Sequence, residues 1–496
     1  MKAKLLWAYL AQAYISLVGI ILAPLYLRYL GAEGFGLVGV YVMLQAWMPI
    51  FDIGLTPVLS REMSRFRAGA LTAREAATRL RTLEVALGTL ATLAVTLLWV
   101  NSGWVGHNWL SAVALPGDAI AHSIVLMGIA VALRWFAGLQ RAVLIGLEYQ
   151  GLVNGLTAGF ATLRFVGALP LLLYVSTLPE HFFAFQVAVG ALELTVFMMT
   201  AHYHVPGGVG IRPDSQALAN MLPMVGSMAL LTTIWVILTQ VDKLILSGLL
   251  PLEEFGYFTL AAMAASGVLV LVGPLNQVIQ PRLTILVEKG EEDTLVELYR
   301  LSSQFVVVGF MSLGGGLAFF AEPILLIWSG NPLVAAAAAP VLFWYGLANA
   351  VVGILVLPFM LQFARGRLRL HVLANLILLA TLAPALVFAA KHWGAPGAGQ
   401  VFFIANLLFL LFWVPIVHRY FLPTITWRWS FRDTLPVAFV MLIVLGVGSK
   451  ALPNEMRMLA TLGWIGAVVF MAAMLGMAMG DLSRPLVLRW LFGARA

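Results

Sequence analysis

LGAEGFGLVGVY, residues 30–41, and LPLEEFGYFTLA, residues 250–261, align without a gap at an offset of 220. The alignment matches Glu33 with Glu253, Phe35 with Phe255 and Gly36 with Gly256. The register runs on into the next apolar segment, pairing Leu55 with Leu275 and Val58 with Val278; arginine follows at 61 and 282, one residue out of step. Self-similarity at this distance marks a duplicated architecture. Each copy sits at a turn between two strongly apolar segments, so the duplicated unit is a set of membrane helices.

The composition agrees. Of 496 residues, 61% are hydrophobic and only 10% charged, where a soluble domain carries roughly a quarter charged residues. Fourteen apolar stretches are long enough to span a bilayer, centred near Tyr14, Met48, Thr92, Arg134, Arg164, Leu192, Ile234, Val268, Ser312, Asn349, Ala380, Leu407, Val444 and Val468. Six spans separate the two copies, so both halves carry the same orientation, as in parallel-repeat transporters. The fold class expected is an all-α polytopic membrane protein: two six-helix lobes related by a pseudo-two-fold repeat, plus two C-terminal helices. The boundaries expected are an N-terminal lobe at 1–203, a polar linker at 204–220, a C-terminal lobe at 221–432, and helices 13 and 14 with an amphipathic tail at 433–496.

Placing the N-terminus in the cytoplasm puts Arg28, Lys391, Lys450 and Arg457 outside. Lys2, Lys4, the run from Arg61 to Arg81, Arg141, Arg212, Arg282 to Arg300, Arg365 to Arg369, Arg419 to Arg432 and Arg484 to Arg495 fall inside. That bias of roughly five to one orients the chain with both termini cytoplasmic. The formal charge of +7 is topological and spread over separate loops, which argues against nucleic acid as a partner. The first apolar segment lacks a cleavage site and reads as a retained span.

No cysteine is present, which removes disulfides and thiolate chemistry. The longest outside segment, Asn101 to Ala121, offers Trp104, His107, Trp109 and Asp118. It has no paired carboxylates and no nucleophile with a base, so neither catalysis, a metal nor a cofactor is expected. Its tryptophans read as interfacial anchors. Gly207 to Gly210 falls in the linker, whereas Gly314 to Gly316 falls within a span, where small residues permit close helix packing. The tail from Asp481 to Ala496 mixes arginines with Leu486, Leu488, Trp490 and Phe492, as an interfacial helix does.

The costly residues point to function. HSIVLMGIAVALRWFAGLQRAVLI (His122 to Ile145) and LVNGLTAGFATLRFVGALPLLLYV (Leu152 to Val175) carry Arg134 and Arg164 near their centres. An arginine that deep costs several kcal/mol unless it faces the bundle interior. Helical spacing gives both arginines polar neighbours: Gly138 and Arg141 on the fourth span, Thr157 on the fifth. Gln186, Gly190 and Glu193 form a stripe on the sixth span, and Tyr41, Gln45 and Asp52 form one on the second. Milder polar positions are Gln240, Asp242 and Lys243 on the seventh span, Asn276 on the eighth and Asn349 on the tenth. Guanidinium groups suit phosphate oxygens, and uncharged polar groups suit a sugar.

Residues Leu25 to Gly69, LYLRYLGAEGFGLVGVYVMLQAWMPIFDIGLTPVLSREMSRFRAG, together with QVDKLILSGLLPLEEFGYFTLA at Gln240 to Ala261, resemble polysaccharide flippases of the Wzx type. Those flippases share a superfamily with multidrug exporters and peptidoglycan-precursor flippases. The resemblance implies alternating-access export of a polyprenyl-diphosphate-linked oligosaccharide, an O-antigen or exopolysaccharide unit, across a bacterial inner membrane. It implies membrane lipids as partners, H+ or Na+ as coupling ion, and a polysaccharide polymerase or chain-length protein as neighbour. On that reading Arg134, Arg164 and Arg141 hold the diphosphate. Tyr41, Gln45, Thr157, Gln186, Gln240, Lys243, Asn276 and Asn349 line the cavity, and Asp52, Glu193 and Asp242 are coupling acids.

Three competing readings stay open. Glu193 and Asp52 can neutralise the deep arginines, making them structural ion pairs. A multidrug or cation-coupled antiporter of the same superfamily would want acidic and aromatic cavity walls, against which the central arginines argue. A membrane-embedded glycosyltransferase is disfavoured by the short outside loops.

Overall fold

A computed structural model describes residues 2–52, 54–205, 212–453 and 456–485. The centre of the expected linker, 206–211, and the tail from 486 lie outside the described residues, as do the side chains of Lys2 and Lys4. Among the described residues every extended element is helical, and one isolated β-bridge joins Ser111 to Pro251. Among the described residues eleven helical stretches are long and apolar enough to cross a membrane, so the chain is a multi-pass membrane protein. Two of them are broken by glycines in the left-handed region, Gly31 (φ 74°) within Tyr14–Met48 and Gly394 (φ 62°) within Arg369–Phe421. Each of those two therefore supplies a pair of spans. With the 35-residue helix Ser215–Leu249, this yields the fourteen expected from hydropathy.

The chain divides into two compact units, Met1–Gly256 and Tyr257–Ala496. The first contains α1 (Lys2–Asp52), α2 (Leu55–Arg67), α3 (Ala73–Trp104), α4 (Gly117–Gly146), α5 (Gln150–Phe165), α6 (Ala168–Tyr174), α7 (Pro179–His204), α8 (Ser215–Leu249) and the opening of α9 (Leu252–Ser266). The second contains the rest of α9, then α10 (Val272–Lys289), α11 (Glu292–Phe310), α12 (Gly316–Phe319), α13 (Ala321–Ser329), α14 (Pro332–Ala364) and α15 (Arg369–Leu408). It closes with α16 (Val414–Phe421), α17 (Thr426–Arg428), α18 (Leu435–Lys450) and α19 (Met458–Met479).

The sequence repeat is visible in the backbone. α1 breaks at Gly31, and at the same offset α8 ends before Pro251, whose missing N–H stops the helix. The two copies then cross within the first unit. A Cβ on Gly36 would stand 2.4 Å from the Leu252 carbonyl oxygen, and a Cβ on Gly256 would stand 2.2 Å from that of Ala32. Ala32 and Leu252 are themselves equivalent under the repeat. Glu33, the acid of the first copy, accepts the backbone amides of Val113 (2.7 Å), Ala114 (3.0 Å) and Leu115 (2.8 Å), so it is a cap for a loop.

The segment from Asn101, expected as loop, stays helical through a π-turn to Trp109. Trp104 is exposed, but Trp109 packs on α8: its indole donates to Ser247 at 3.2 Å. In the first unit α2, α3 and α4 pack through Leu59, Met63, Leu83, Leu87, Leu139 and Val143, all fully buried. In the second, Phe310, Met360, Leu361, Val414, Met441 and Leu445 hold α11, α14, α16 and α18 together. Lipid is as apolar as leucine, so close packing rather than exclusion from water holds such bundles. The Gly314 run serves that end, since a Cβ there would lie 2.5 Å from the Gly346 carbonyl oxygen on α14.

Candidate functional site

One small-residue contact and one helix break build the polar site of the first unit. Gly190 on α7 lies against Ala130 and Leu133 of α4, and this close approach sets Glu193, three residues on, opposite Arg141. Arg164 occupies the last turn of α5, where the helix breaks before α6. The Tyr26 hydroxyl of α1 donates to the Phe165 carbonyl at that break, satisfying a backbone acceptor that has left the helical pattern.

Glu193 is 1% exposed, and both its oxygens are taken by guanidinium groups. Arg141 Nη1 donates to Oε1 at 3.0 Å, and Arg164 Nη2 donates to Oε2. Arg164 is itself 5% exposed. The Arg141 guanidinium also lies 5.7 Å from the centre of the Phe197 ring, within cation–π range. Arg134 differs: its Nη1 donates to the amide oxygen of Gln45, and among the described residues no carboxylate pairs with it. Arg134 is nonetheless close enough to Arg141 and Arg164 for like-charge repulsion to act on both. Arginine stays protonated in proteins. Three cations thus share one anion, an excess of two positive charges inside an apolar bundle.

The same group has unspent polar capacity. Among the described residues Arg134 Nε, Arg164 Nε, Tyr41 Oη and Gln186 Oε1 are buried without hydrogen-bond partners. Gln186 Nε2 donates to the Arg164 carbonyl oxygen at 3.4 Å, and the Tyr41 ring meets Phe183 edge to face at 5.5 Å. Buried polar atoms of this kind are rare in folded proteins and cluster where function requires them.

The structure therefore gathers Tyr41, Gln45, Arg134, Arg141, Arg164, Gln186 and Glu193. Other predicted positions lie elsewhere or are engaged differently. Thr157 is half-buried two turns before Arg164 and makes no hydrogen bond to the group. Asp52 accepts the Thr56 hydroxyl at 2.5 Å and the Thr56 amide at 3.3 Å, so it holds the start of α2 instead of an arginine. On α8, Lys243 Nζ donates to Asp242 at 3.2 Å and to the Thr239 carbonyl at 2.9 Å. Gln240 donates to the neighbouring Thr239 hydroxyl at 3.5 Å. In the second unit Asn349 donates to the Ala265 carbonyl at 2.9 Å, tying α14 to α9, while Asn276 is exposed on α10.

Two buried polar groups escape the sequence reading. Glu84 of α3 meets Gln140 and His202. In the second unit Arg300 grips Asp433 with Nε at 2.6 Å and Nη2 at 2.9 Å, and Gln304 donates to the same carboxylate at 2.6 Å. Neither involves a residue at the centre of a hydropathy peak, which is the signal that exposes Arg134 and Arg164.

A family profile described as "Polysaccharide biosynthesis protein" matches residues 1–287. A search of curated proteins finds no significant match. Among solved structures, the lipid II flippase MurJ in an inward closed conformation superposes with a TM-score of 0.71 at 12% identity, covering 96% of this chain and 98% of that one. An inward-facing multidrug resistance MATE family transporter of the MOP superfamily gives 0.66 at 12% identity, covering 84% and 96%. The MATE multidrug transporter DinF-BH gives 0.56 at 12% identity, covering 87% and 95%. At these identities the likeness establishes a shared fold.

Proposed function

The chain belongs to the polysaccharide biosynthesis protein family, and on that premise we propose that it is a flippase for a polyprenyl-diphosphate-linked oligosaccharide. The observation that carries the reading is the charge imbalance: Arg134, Arg141 and Arg164 against Glu193 alone. A doubly ionised diphosphate neutralises that excess, and guanidinium forks grip its oxygens in pairs. Arg134, held only by an amide, makes first contact. As the diphosphate engages Arg141 and Arg164, Glu193 is released from them, and its protonation links transport to an ion gradient.

Polar groups outside the arginine cluster face the saccharide. Tyr41, Gln45 and Gln186 stand beside the arginines, while Thr157, Gln240, Lys243, Asn276 and Asn349 serve at other stages of alternating access between an N-terminal lobe (1–203) and a C-terminal lobe (221–432). Asp52 and Asp242 are secondary candidates for ion coupling. The setting is a bacterial inner membrane with both termini cytoplasmic and a polysaccharide polymerase consuming the product. An exporter of organic cations would face the same excess positive charge as a repulsion, so the antiporter reading is not favoured.

The test is flipping of a lipid-linked oligosaccharide in vesicles containing the purified chain, comparing wild type with Arg134→Gln. Loss of a charge-assisted contact worth roughly 1.5–3 kcal/mol reduces the rate by about tenfold or more. Wild-type rates in Arg134→Gln and Arg164→Gln alike would overturn the assignment.

A further inference from the structure

Glu84 of α3 is 3% exposed, and the arginine cluster does not use it. Three side chains reach it. From α4, Gln140 Nε2 donates to Oε1 at 2.8 Å; from α7, His202 Nε2 stands 3.4 Å from the same oxygen; from α3 itself, Arg81 Nη1 donates to Oε2 at 3.3 Å. The connector that follows α7 touches α3 through a backbone group: the Asp214 amide donates to the Thr82 hydroxyl at 2.9 Å. The remaining ion pairs of this region, Glu62 with Arg79 and Arg65, engage Arg79, five residues before Glu84.

The hydrogen-bond pattern decides where a proton must be. His202 Nδ1 lies 2.9 Å from the Met198 carbonyl oxygen, which can only accept, so Nδ1 carries a hydrogen. In a neutral ring Nε2 is then a lone pair, and it faces a carboxylate oxygen, another acceptor. The approach is favourable only when one proton lies between them, on Nε2 or on Oε1. Gln140 adds a second sign: it is fully buried, and its Oε1 has no partner. Turned over, that amide presents an acceptor to a protonated Glu84, so one side chain serves both states.

We propose that Glu84 and His202 form a proton-binding site, with Gln140 matching its protonation state. The proton enters along the His202 side chain, which is 47% exposed. Its loss leaves two acceptors facing each other and separates the pair. His202 lies in the last turn of α7, and Asp214 holds the far end of the connector two residues from Glu84 on α3. Release of the proton therefore frees the end of α7 from the helix to which the connector returns.

Infrared titration of the purified full chain in lipid vesicles, from roughly pH 5 to pH 8, tests this without any transported substrate. Its outcome is therefore separate from that of the proposed function. The wild type should release one proton, read in the carboxyl or the imidazolium bands, and that transition should be lost or displaced by about one pH unit or more in both Glu84→Gln and His202→Gln. A transition unmoved in either variant would overturn the site. If Glu84→Gln does not assemble, the half-exposed His202→Gln decides alone, with its elution profile as the check on folding.

Discussion

Arg134 hydrogen-bonds to Gln45, an amide, while its two arginine neighbours are drawn onto a single carboxylate. The charge of Arg134 is thus available to a ligand, whereas those of Arg141 and Arg164 are partly committed. Replacing Arg134 by glutamine removes a half-buried cation without orphaning an anion. We expect Arg134→Gln to keep the wild-type thermal midpoint or raise it slightly, while flipping falls about tenfold or more. Thermal unfolding in detergent and vesicle flipping measure the two effects separately.

Glu193 behaves in the opposite way. Its removal leaves three guanidinium groups with no counter-charge, and breaking a buried pair by deleting one partner costs about 3–5 kcal/mol. Glu193→Gln should therefore lower membrane abundance and the thermal midpoint. The double variant Glu193→Gln with Arg141→Gln should recover part of the loss, because it deletes one of the two cations orphaned at Glu193. A double-mutant cycle with no coupling between these positions would show that the observed ion pair carries no energy. If Glu193 also couples transport to protons, flipping by the surviving Glu193→Gln protein should lose its pH dependence.

In the second unit, Gln304 joins three residues: its amide nitrogen donates to Asp433, and its oxygen accepts the Leu482 and Ser483 amides at 3.2 and 2.8 Å. Gln304 is fully buried, so Gln304→Leu strands two amides at about 1–3 kcal/mol for each unsatisfied group and leaves Asp433 to Arg300 alone among the described residues. The expectation is a lower thermal midpoint with flipping per folded molecule unchanged. Reduced flipping per molecule at an unchanged midpoint would contradict a purely structural role.

The glycine crossing gives a matched comparison. Gly36→Ala and Gly256→Ala each drive a methyl group against backbone, at 2.4 and 2.2 Å, whereas a Cβ at Gly155 meets nothing within 4 Å. The first two should cost about 1–3 kcal/mol each, and Gly155→Ala should be neutral or better. Circular dichroism melts of the three variants are enough to check it.

Hydropathy, spacing and the repeat made the helix count, the duplication and the depth of Arg134 and Arg164 legible, because each depends on positions along one helix. Partner choice depends on how helices rotate against one another, which no single segment encodes. Gln45 and Arg134 are 89 residues apart, and Arg141 and Glu193 are 52 apart. Asp52 is the instructive exception: its partner is Thr56, four residues on, a local cap that its depth in an apolar segment obscured. Glu84 went unread for a related reason, since it lies toward the end of its span, where a charge looks solvated.

Gly36 meets residue 252 and Gly256 meets residue 32, its equivalent. Such exchange of roles is what an isologous interface imposes, where residue i touches j and j touches i. A shorter gene encoding one copy, whose product paired with itself, would have had this junction already, with a single glycine codon answering for both sides. In the single chain the two positions vary independently, yet neither accepts a larger residue without pushing against the other copy's backbone. The crossing thus has, within one polypeptide, the reciprocal pattern of an isologous contact.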